Sequence, residues 1–335
     1  MDELAARVEE VATATSFSGV VRVDRDGEVP FAVAYRMADR AHGVANTAAT
    51  RFAMASGSKG FTALVTVSLI EDGTLSYDTT ARSLLGTDVP LIDDAVTVEH
   101  LLAHRSGIGD YLDEDAPGGA ITDYVMTQPV HVLATTEAFV PELDGYPTSF
   151  PPGERFAYNN GGFVVLALLA ERAAGVPFHH LVQARVLDPA GMTSTAYLRT
   201  DALAGDVAIG YLEEEGLRSN VMHLPVRGNG DGGAYTTAAD MATFWRALFD
   251  GRLVPPARVE EMVRPRSDEP VEERRYGMGF WIRQDRDVPY LEGFDAGASF
   301  RSVHDPATGV THTVIANTSE GAWPITEVVA ASLAT

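Results

Sequence analysis

The sequence predicts an α+β fold, in which an antiparallel sheet is built from both ends of the chain and a helical region is inserted between them. Strand-like runs occur near the two termini, within residues 18–36 and 276–318. Helical patterns fill the middle, without the strand–helix alternation that accompanies a parallel sheet. We therefore expect a discontinuous sheet lobe, residues 1–57 and 235–335, and a mostly helical lobe, residues 58–234, with the functional site between them.

The elements of the first half follow from periodicity and turn signals. Apolar residues recur at helical spacing after the acidic N-terminus, and an Asp26-Gly27 pair between two apolar runs is a strong hairpin signal. Thr97 precedes a short apolar-periodic segment, as an N-cap does. The predicted elements are a helix over 2–15, two strands within 18–36, a helix over 59–73, a short helix over 97–104 and long loops over 106–155.

The second half predicts buried helices followed by strands. Gly175 and Gly251 each follow an apolar helical run and are typical helix stops. The predicted elements are helices over 161–175, 179–192 and 237–251, strands over 276–284, 298–306 and 310–318, and a closing helix over 324–334.

Composition excludes several classes of function. The 335 residues carry a net charge of −22, so like-charge repulsion argues against nucleic acid or an anionic membrane as a partner. There is no cysteine, which excludes disulfides and thiolate chemistry. The N-terminus lacks the pattern of a signal peptide, and the longest apolar runs, such as 163–170, are too short to span a membrane. We expect a soluble, cytoplasmic protein without a cofactor; the sequence does not indicate its oligomeric state.

Lys59 is the only lysine in the chain, and it follows Ser56 by three residues. On a helix this spacing places the two side chains on one face. A desolvated amine can lose its proton, which a guanidinium does not do, and can then accept a proton from a hydroxyl. The pair is therefore a candidate activated nucleophile, although a chance spacing of serine and lysine would give the same pattern.

A second candidate group lies in "FAYNNGGF", residues 156–163. Tyr158 stands just before a buried helix, and Asn160 follows two residues later. A phenol near an ammonium can be stabilised as a phenolate and relay protons. Taken alone, a tyrosine at a helix start is more often a packing residue.

Together, "SGSK" at 56–59 and "YNN" at 158–160 resemble the S-x-x-K and Y-x-N motifs of the serine β-lactamase and penicillin-binding-protein superfamily. The chain is most similar to the branch that holds class C β-lactamases, D-aminopeptidases and family VIII esterases. The resemblance covers nearly the whole chain and includes further stretches at 97–111, 151–175, 186–197, 230–244 and 276–281. It implies a β-lactamase/transpeptidase-like fold.

The resemblance implies a role for each matching residue. Ser56 would be the acylated nucleophile, Lys59 its proton acceptor, Tyr158 the second acid/base group, and Asn160 would orient the lysine and the substrate. The backbone N–H of Ser56 would form half of an oxyanion hole.

The family's third element, K-T-G or H-x-G on an edge strand, is not matched by its cation. Two alignments compete in "YLEGFDAGASFRS", residues 290–302: Leu291-Glu292-Gly293 and Gly293-Phe294-Asp295. Backbone donation survives in either alignment, whereas a cation for a substrate carboxylate is missing unless Arg301 supplies it. The residues of this region expected to contact or orient the substrate are Gly293, Phe294, Asp295 and Gly297.

These features predict a serine hydrolase that acts through an acyl-enzyme, most simply an esterase on small neutral esters. The alternatives are a D-aminopeptidase or DD-peptidase, a weak β-lactamase, and a sensor or scaffold that does not turn over. His100 and His104 have a spacing that can bind zinc, but the family segment accounts for both, so no metal is expected. Aromatic residues in the loops at 106–155 either line an acyl pocket or pack.

Overall fold

The strands come mainly from the two ends of the chain, as the sequence predicts. The structure is a computed structural model that describes residues 1–25, 27–114, 121–267 and 274–333. In chain order its strands are β1 Gly19–Arg25, β2 Glu28–Tyr35, β3 Met37–Asp39, β4 Val44–Ala45, β5 Phe52–Ala53, β6 Tyr235–Thr236, β7 Arg274–Tyr276, β8 Trp281–Arg283, β9 Pro289–Asp295, β10 Ala298–Asp305 and β11 Val310–Ala316.

Seven of the described strands form one antiparallel sheet in the order β2-β1-β11-β10-β9-β8-β7. The N-terminal hairpin joins the C-terminal strands through β1 and β11, with Gly19 opposite Ala316 and Arg25 opposite Val310. The α+β class and the sheet built from both ends are thereby confirmed. Asp26, half of the predicted hairpin turn, lies outside the described residues, and Gly27 has the positive φ of +86° that such a turn requires.

The helices occupy both faces of this sheet. They are α1 Asp2–Ala14, α2 Lys59–Glu71, α3 Ala81–Leu85, α4 Val98–Leu102, α5 Val140–Leu143, α6 Asn160–Ala174, α7 Phe178–Val182, α8 Asp188–Ala190, α9 Ala238–Phe249, α10 Pro256–Met262 and α11 Ala322–Leu333. Short 3-10 turns are Ala55–Ser58, Ile121–Asp123, Val130–Val132 and Thr136–Phe139.

Alternate residues of the strands feed two separate cores. On the outer face, α1 and α11 pack on β1 and β11, where Val21 and Val314 are fully buried. On the inner face, Val20 and Ile315 join the larger core that contains α2, α6 and α9. The helices α2 and α6 are buried on almost all sides, so neither shows the polar face that is typical of a surface helix. The division into lobes at residues 57 and 235 stays a prediction.

None of the described helices is by itself long and apolar enough to cross a membrane. One pair bent by 84°, Asn160–Ala174 with Phe178–Ala190, has the necessary length and composition only.

Two predicted elements are broken in the structure. Residues 276–284, predicted as one strand, belong to the hairpin of β7 and β8. The turn between them contains Gly279 at a φ of +81°, and a Cβ on Gly279 would lie 2.3 Å from the Ala63 Cβ of α2, so the chain turns where it meets this helix. The predicted helix over 179–192 is interrupted by a π-helical turn at Gln183–Leu187.

The strand that carries the third element, β9, lies between β10 and β8 and is therefore not an edge strand of the sheet. Its described contacts with β8 involve only Pro289 and Tyr290. Beyond Leu291, no described strand pairs with β9 on that side. This half of β9 is thus a local edge, and it lies against the 3-10 turn at Ala55–Ser58.

The loops at 106–155, of which residues 115–120 lie outside the described residues, are organised around a buried carboxylate. The Glu142 side chain is fully buried and has no salt bridge among the described residues. It accepts hydrogen bonds from the Thr127 N–H at 3.0 Å, the Thr127 hydroxyl at 2.6 Å and the Gln128 N–H at 2.8 Å. These bonds join α5 to the preceding loop segment, and such charge-assisted bonds are the stronger kind.

Glu142→Gln should lower the free energy of unfolding by about 1.5–3 kcal/mol, because the neutral amide turns an N–H₂ group towards donors and leaves them unsatisfied. Urea denaturation measures this loss. The control is Glu154→Gln, at an exposed side chain, which should change stability by less than about 0.5 kcal/mol. Equal effects of the two variants would contradict the role given to the buried carboxylate.

Candidate active site

Ser56 lies in the 3-10 turn Ala55–Ser58, which leads directly into α2. The preceding Ala55 has a φ of +44°, a left-handed conformation that is uncommon for residues other than glycine. Its carbonyl oxygen accepts a hydrogen bond from the Gly233 N–H at 3.2 Å, and the Met54 N–H bonds Ala234 O at 2.9 Å. These contacts hold the turn so that half-buried Ser56 faces a cleft of about 330 Å³.

Lys59 is the first residue of α2, and its amine lies beside the Ser56 hydroxyl. The Lys59 Nζ is 2.8 Å from Ser56 Oγ, 2.7 Å from Asn160 Oδ1 and 2.7 Å from Asp231 O. Only 2% of this residue is exposed. Burial lowers the pKa of the Lys59 amine, against the opposing effect of Asp231 and other nearby carboxylates. The amine thus lies within hydrogen-bond distance of the Ser56 hydroxyl, and its role as proton acceptor stays a prediction.

Asn160 begins α6, where two side chains satisfy the free backbone groups of the helix start. Asn159 is the N-cap and accepts from the Gly162 N–H at 2.6 Å, while Asp110 accepts from the N–H groups of Asn160 at 2.6 Å and Gly161 at 2.8 Å. The fixed helix start leaves Asn160 Oδ1 directed at Lys59.

The Nδ2 group of Asn160 is also occupied. It donates to Leu112 O and to Glu114 Oε1, each at 2.8 Å. Because both ends of its amide are hydrogen-bonded, the Asn160 side chain is fixed in place and orients the Lys59 amine.

Tyr158 completes the cluster around Ser56, and both residues line the cleft. Its ring centroid lies 4.9 Å from Lys59 Nζ, and the ring stacks on Trp281 at 5.7 Å with an interplanar angle of 14°. Burial raises the pKa of the Tyr158 phenol well above its ordinary value. Because burial outweighs the nearby amine, the structure favours a protonated phenol, a proton donor, over the phenolate that the sequence argument allowed.

Gly293 of β9 comes closest to the turn that carries Ser56. A Cβ at Gly293 would lie 2.1 Å from Met54 O and 2.9 Å from the Ser56 backbone nitrogen, so no side chain fits there. The next residue, Phe294, lines the cleft together with Ser56. This contact favours the alignment on Leu291-Glu292-Gly293, in which the glycine meets the nucleophile turn.

The other two predicted residues of this region lie farther along the chain. The Asp295 carboxyl accepts from the Ala296 N–H at 3.0 Å, and it borders a separate cavity beside Asp231 rather than the cleft. Gly297, with a φ of +71°, forms the turn between β9 and β10, where its N–H donates to Ser319 Oγ at 2.9 Å. The structure thus brings Gly293 and Phe294 to the cleft, and does not bring Gly297 there.

Several site residues were not found by sequence reasoning. Asp231 gives its carbonyl to Lys59, and its carboxylate accepts a hydrogen bond from the Tyr111 hydroxyl. The only sequence signal for Asp231 is the glycine-rich segment at 230–233, which resembles a family turn beside the site. Tyr111 lies in a loop segment that the sequence left open as pocket wall or packing.

The two histidines considered for zinc have backbone partners instead. His100 Nδ1 accepts from the Thr97 N–H at 3.3 Å, and His104 Nδ1 accepts from the Asn159 N–H at 3.0 Å. Burial lowers the pKa of His104 well below its ordinary value, and its ring lies 4.4 Å from the Tyr158 ring. His104 therefore supports the tyrosine as a neutral packing and acceptor group.

The wall of the cleft beyond Gly293 carries a shared ion pair. Glu292 accepts from Arg274 Nη1 at 2.7 Å and also pairs with Arg301. Both Glu292 and Arg274 line the cleft, but Arg301 does not. Leu291 points the other way and packs on Gly60 of α2. The negative charge of Glu292 is therefore neutralised by Arg274 and Arg301.

Comparison with known proteins agrees with this geometry. The family described as Beta-lactamase matches residues 4–333. The penicillin-binding protein from Bacillus halodurans, a solved structure, superposes with a TM-score of 0.89 at 35% identity, covering 97% of this chain and 99% of that one.

Curated relatives are similar over shorter parts. A putative penicillin-binding protein, PbpX, from Bacillus subtilis is 28% identical over 79% of this chain and 62% of its own length. The esterase EstB from Burkholderia gladioli is 30% identical over 54% of this chain and 47% of its own length. The chain thus spans about 60% of the length of the first curated relatives it matches.

The stability of the protein should depend on pH through Asp295. Burial raises the pKa of this carboxyl to about 7, whereas an unfolded chain has the ordinary value of 3.8. Between these values the folded protein binds more protons, so Asp295 stabilises the fold at low pH, and this contribution is lost as the pH rises to about 7. Asn at position 295 cannot ionise, so the Tm of Asp295→Asn relative to wild type should rise from pH 5 to pH 8. The difference in unfolding free energy between the two proteins should change by up to about 1.4 kcal/mol per pH unit.

Asp201→Asn is the control for this titration. The pKa of exposed Asp201 is lowered by its hydrogen bond to Arg199, so this carboxylate is charged in both states across the same window. Its Tm difference from wild type should stay constant. A constant difference for Asp295→Asn as well would show that Asp295 is already ionised at pH 5.

Proposed function

The chain belongs to the beta-lactamase family, within the serine hydrolase superfamily, and we propose that it hydrolyses small neutral esters through an acyl-enzyme on Ser56. The observation that carries the proposal is the contact of the Ser56 hydroxyl with a buried amine, at a cleft that a phenol also lines. Ser56 Oγ lies 2.8 Å from Lys59 Nζ, and Tyr158 lines the same cleft as Ser56. A hydroxyl needs such a base to become a nucleophile near neutral pH.

In the acylation step, neutral Lys59 takes the proton of Ser56 while the Oγ atom forms a bond to the ester carbonyl carbon. The carbonyl oxygen becomes an oxyanion, and the N–H groups of Ser56 and Phe294 are the proposed donors to it. Their arrangement is supported by the approach of Gly293 to the Ser56 backbone and by the local edge of β9.

Collapse of the tetrahedral intermediate breaks the bond to the leaving alkoxide, which takes a proton from Tyr158. Lys59 then gives the phenol the proton that it took from Ser56, so that both groups regain their starting protonation states. Water then attacks the acyl-enzyme, and the same groups act in reverse. The raised pKa of Tyr158 supports a donor role for the phenol in this step.

Two observations support an ester over an anionic substrate. The residue two places before Gly293 is Leu291, buried against Gly60, so β9 supplies no cation at that position. Two arginines line the cleft: Arg274 is engaged by Glu292, and the Arg155 guanidinium lies over the Phe150 ring at 4.1 Å. The relative EstB is named an esterase.

A second candidate is an aminopeptidase for D-amino-acid amides, favoured by one observation. Glu114 lines the cleft, and its carboxylate could pair with the free ammonium group of such a substrate. A relative from Brucella anthropi, 29% identical over 69% of this chain, is named a D-aminopeptidase.

Lys59→Arg should lose activity by about 10² or more in kcat, because a guanidinium keeps its proton and cannot act as the base. Ester hydrolysis by the purified variant measures this. A fluorophosphonate probe should label wild type on the Ser56 peptide and fail to label Ser56→Ala. The control is Ser58→Ala, which removes a buried hydroxyl that donates to Ala55 O at 2.8 Å and accepts from the Ala234 N–H at 3.5 Å. Near-normal turnover by Lys59→Arg, or labelling on Ser58, would refute the assignment.

A substrate panel should separate the candidate activities. We expect kcat/KM for p-nitrophenyl acetate or butyrate to exceed that for a chromogenic cephalosporin and for D-amino-acid p-nitroanilides by at least about tenfold. Glu114→Gln should lower kcat/KM for substrates that carry an ammonium group more than for neutral esters, since the loss of its bond to Asn160 affects both classes alike. Efficient cephalosporin turnover would identify a β-lactamase, and a burst without further turnover would identify a sensor.

A further inference from the structure

A large cavity lies on the outer face of the sheet, on the side away from Ser56. The helices α1 and α11 cover only the β1 and β11 side of this face. Beyond α11, a cavity of about 610 Å³ is lined by strand residues Arg274, Arg283, Tyr290, Arg301 and His312, with α11 as one wall. These residues belong to five adjacent strands, β7 to β11, so their positions are fixed by the sheet register.

The charge of this cavity is opposite to that of the protein. Three arginines line it against one aspartate, Asp285, in a chain whose net charge is −22. Two of the arginines, Arg274 and Arg301, converge because both bind the single carboxylate of Glu292. Within the part of the chain that the structure describes, Arg274 and Arg301 thus share one carboxylate, and Arg283 pairs with Asp285.

Donors remain available in the cavity. Arg301 uses Nε and Nη2 on Glu292, and Arg283 uses Nε and Nη2 on Asp285. The Nη1 groups of both arginines bond no residue in the described part of the chain. The two arginine side chains are about one-third exposed, at 33% for Arg301 and 35% for Arg283, so an incoming ligand can reach them.

His312 adds a neutral donor between these arginines. It lies opposite Val303, whose other neighbour across the sheet is Tyr290. Burial and the charges of Arg283 and Arg301 lower the pKa of His312 to about 4. An uncharged imidazole carries one N–H, and an anion beside it would offset the positive charges that surround the ring.

We propose that this cavity is a binding site for the phosphate group of a small phosphate monoester. Arginine forks match the oxygens of phosphate, and two Nη1 groups with one imidazole N–H provide donors for three oxygens, whereas a carboxylate offers two. The volume exceeds that of inorganic phosphate and leaves room for the organic part beside Tyr290. The site is independent of the activity proposed for Ser56.

The site also touches the cleft through one ion pair. Arg274 lines both the cavity and the cleft, and Glu292 lines the cleft. A phosphate on Arg301 Nη1 would share this guanidinium with Glu292, which bonds its Nε and Nη2 groups. Occupancy of the cavity should therefore change the environment of Glu292 at the cleft.

The test is binding of inorganic phosphate and of glycerol phosphate to the intact protein, by calorimetry and by Tm at constant ionic strength. Both should bind wild type, glycerol phosphate more tightly, and the His312 ring signals should shift in NMR spectra. Arg283→Ala should weaken binding at least tenfold. Arg199→Ala is the matched control, since Arg199 forms the same bidentate pair with an aspartate two residues later, away from the cavity.

Three results would overturn the proposal. Equal phosphate binding by wild type and Arg283→Ala would show that Arg283 does not contribute to the site. An equal Tm shift with chloride at the same ionic strength would mean screening alone. Binding of succinate as tight as that of glycerol phosphate would contradict the preference for phosphate. Each readout is independent of ester hydrolysis, so failure here leaves the assignment of Ser56 untouched, and the reverse also holds.

Discussion

The site depends on one buried amine. Lys59 is bonded to a hydroxyl on its own turn, to the amide of Asn160 and to the carbonyl of Asp231, which come from three separate parts of the chain. A buried amine without acceptors would cost several kcal/mol, so these three segments must meet for the fold to tolerate it. The same contacts orient the lysine towards Ser56. Stability of the fold and readiness for chemistry therefore rest on the same hydrogen bonds.

Small residues make that meeting possible. Gly293 lets β9 approach the turn of Ser56, and Gly60 leaves room for the Leu291 side chain. A Cβ added to Gly232 would lie 3.3 Å from the Ala55 backbone. Aromatic side chains pack around the site: the Tyr158 ring lies between the rings of His104 and Trp281. Backbone-to-backbone contact fixes the position of the hydroxyl, while aromatic packing fixes the position of the phenol.

The sequence was informative where the interactions are local. The spacing of Ser56 and Lys59 and the stop at Gly175 can be seen within one or two turns of helix, and the structure has both the contact and the end of α6 there. The pairing of Glu292 with Arg274 and Arg301 could not be predicted, because it depends on the register of β7, β9 and β10. Burial of Glu142 likewise depends on a loop that meets α5 across some fifteen residues, where no periodicity exists. The sequence predicts one strand where β7 and β8 form a hairpin, because the turn at Gly279 depends on contact with α2, which is distant in sequence.

The pairing of β1 with β11 has a consequence for how the chain folds during synthesis. Gly19 is opposite Ala316, so these two neighbouring strands are separated by about 300 residues of sequence. Loop closure over such a distance is slow, and the ribosome delivers β11 after the other described strands. Until then the β1–β2 hairpin exposes the edge on which β11 will add, while the helical segments between them can already pack. The nascent protein thus passes through a state with an open, apolar strand edge, the kind of surface that chaperones recognise and that aggregation begins from.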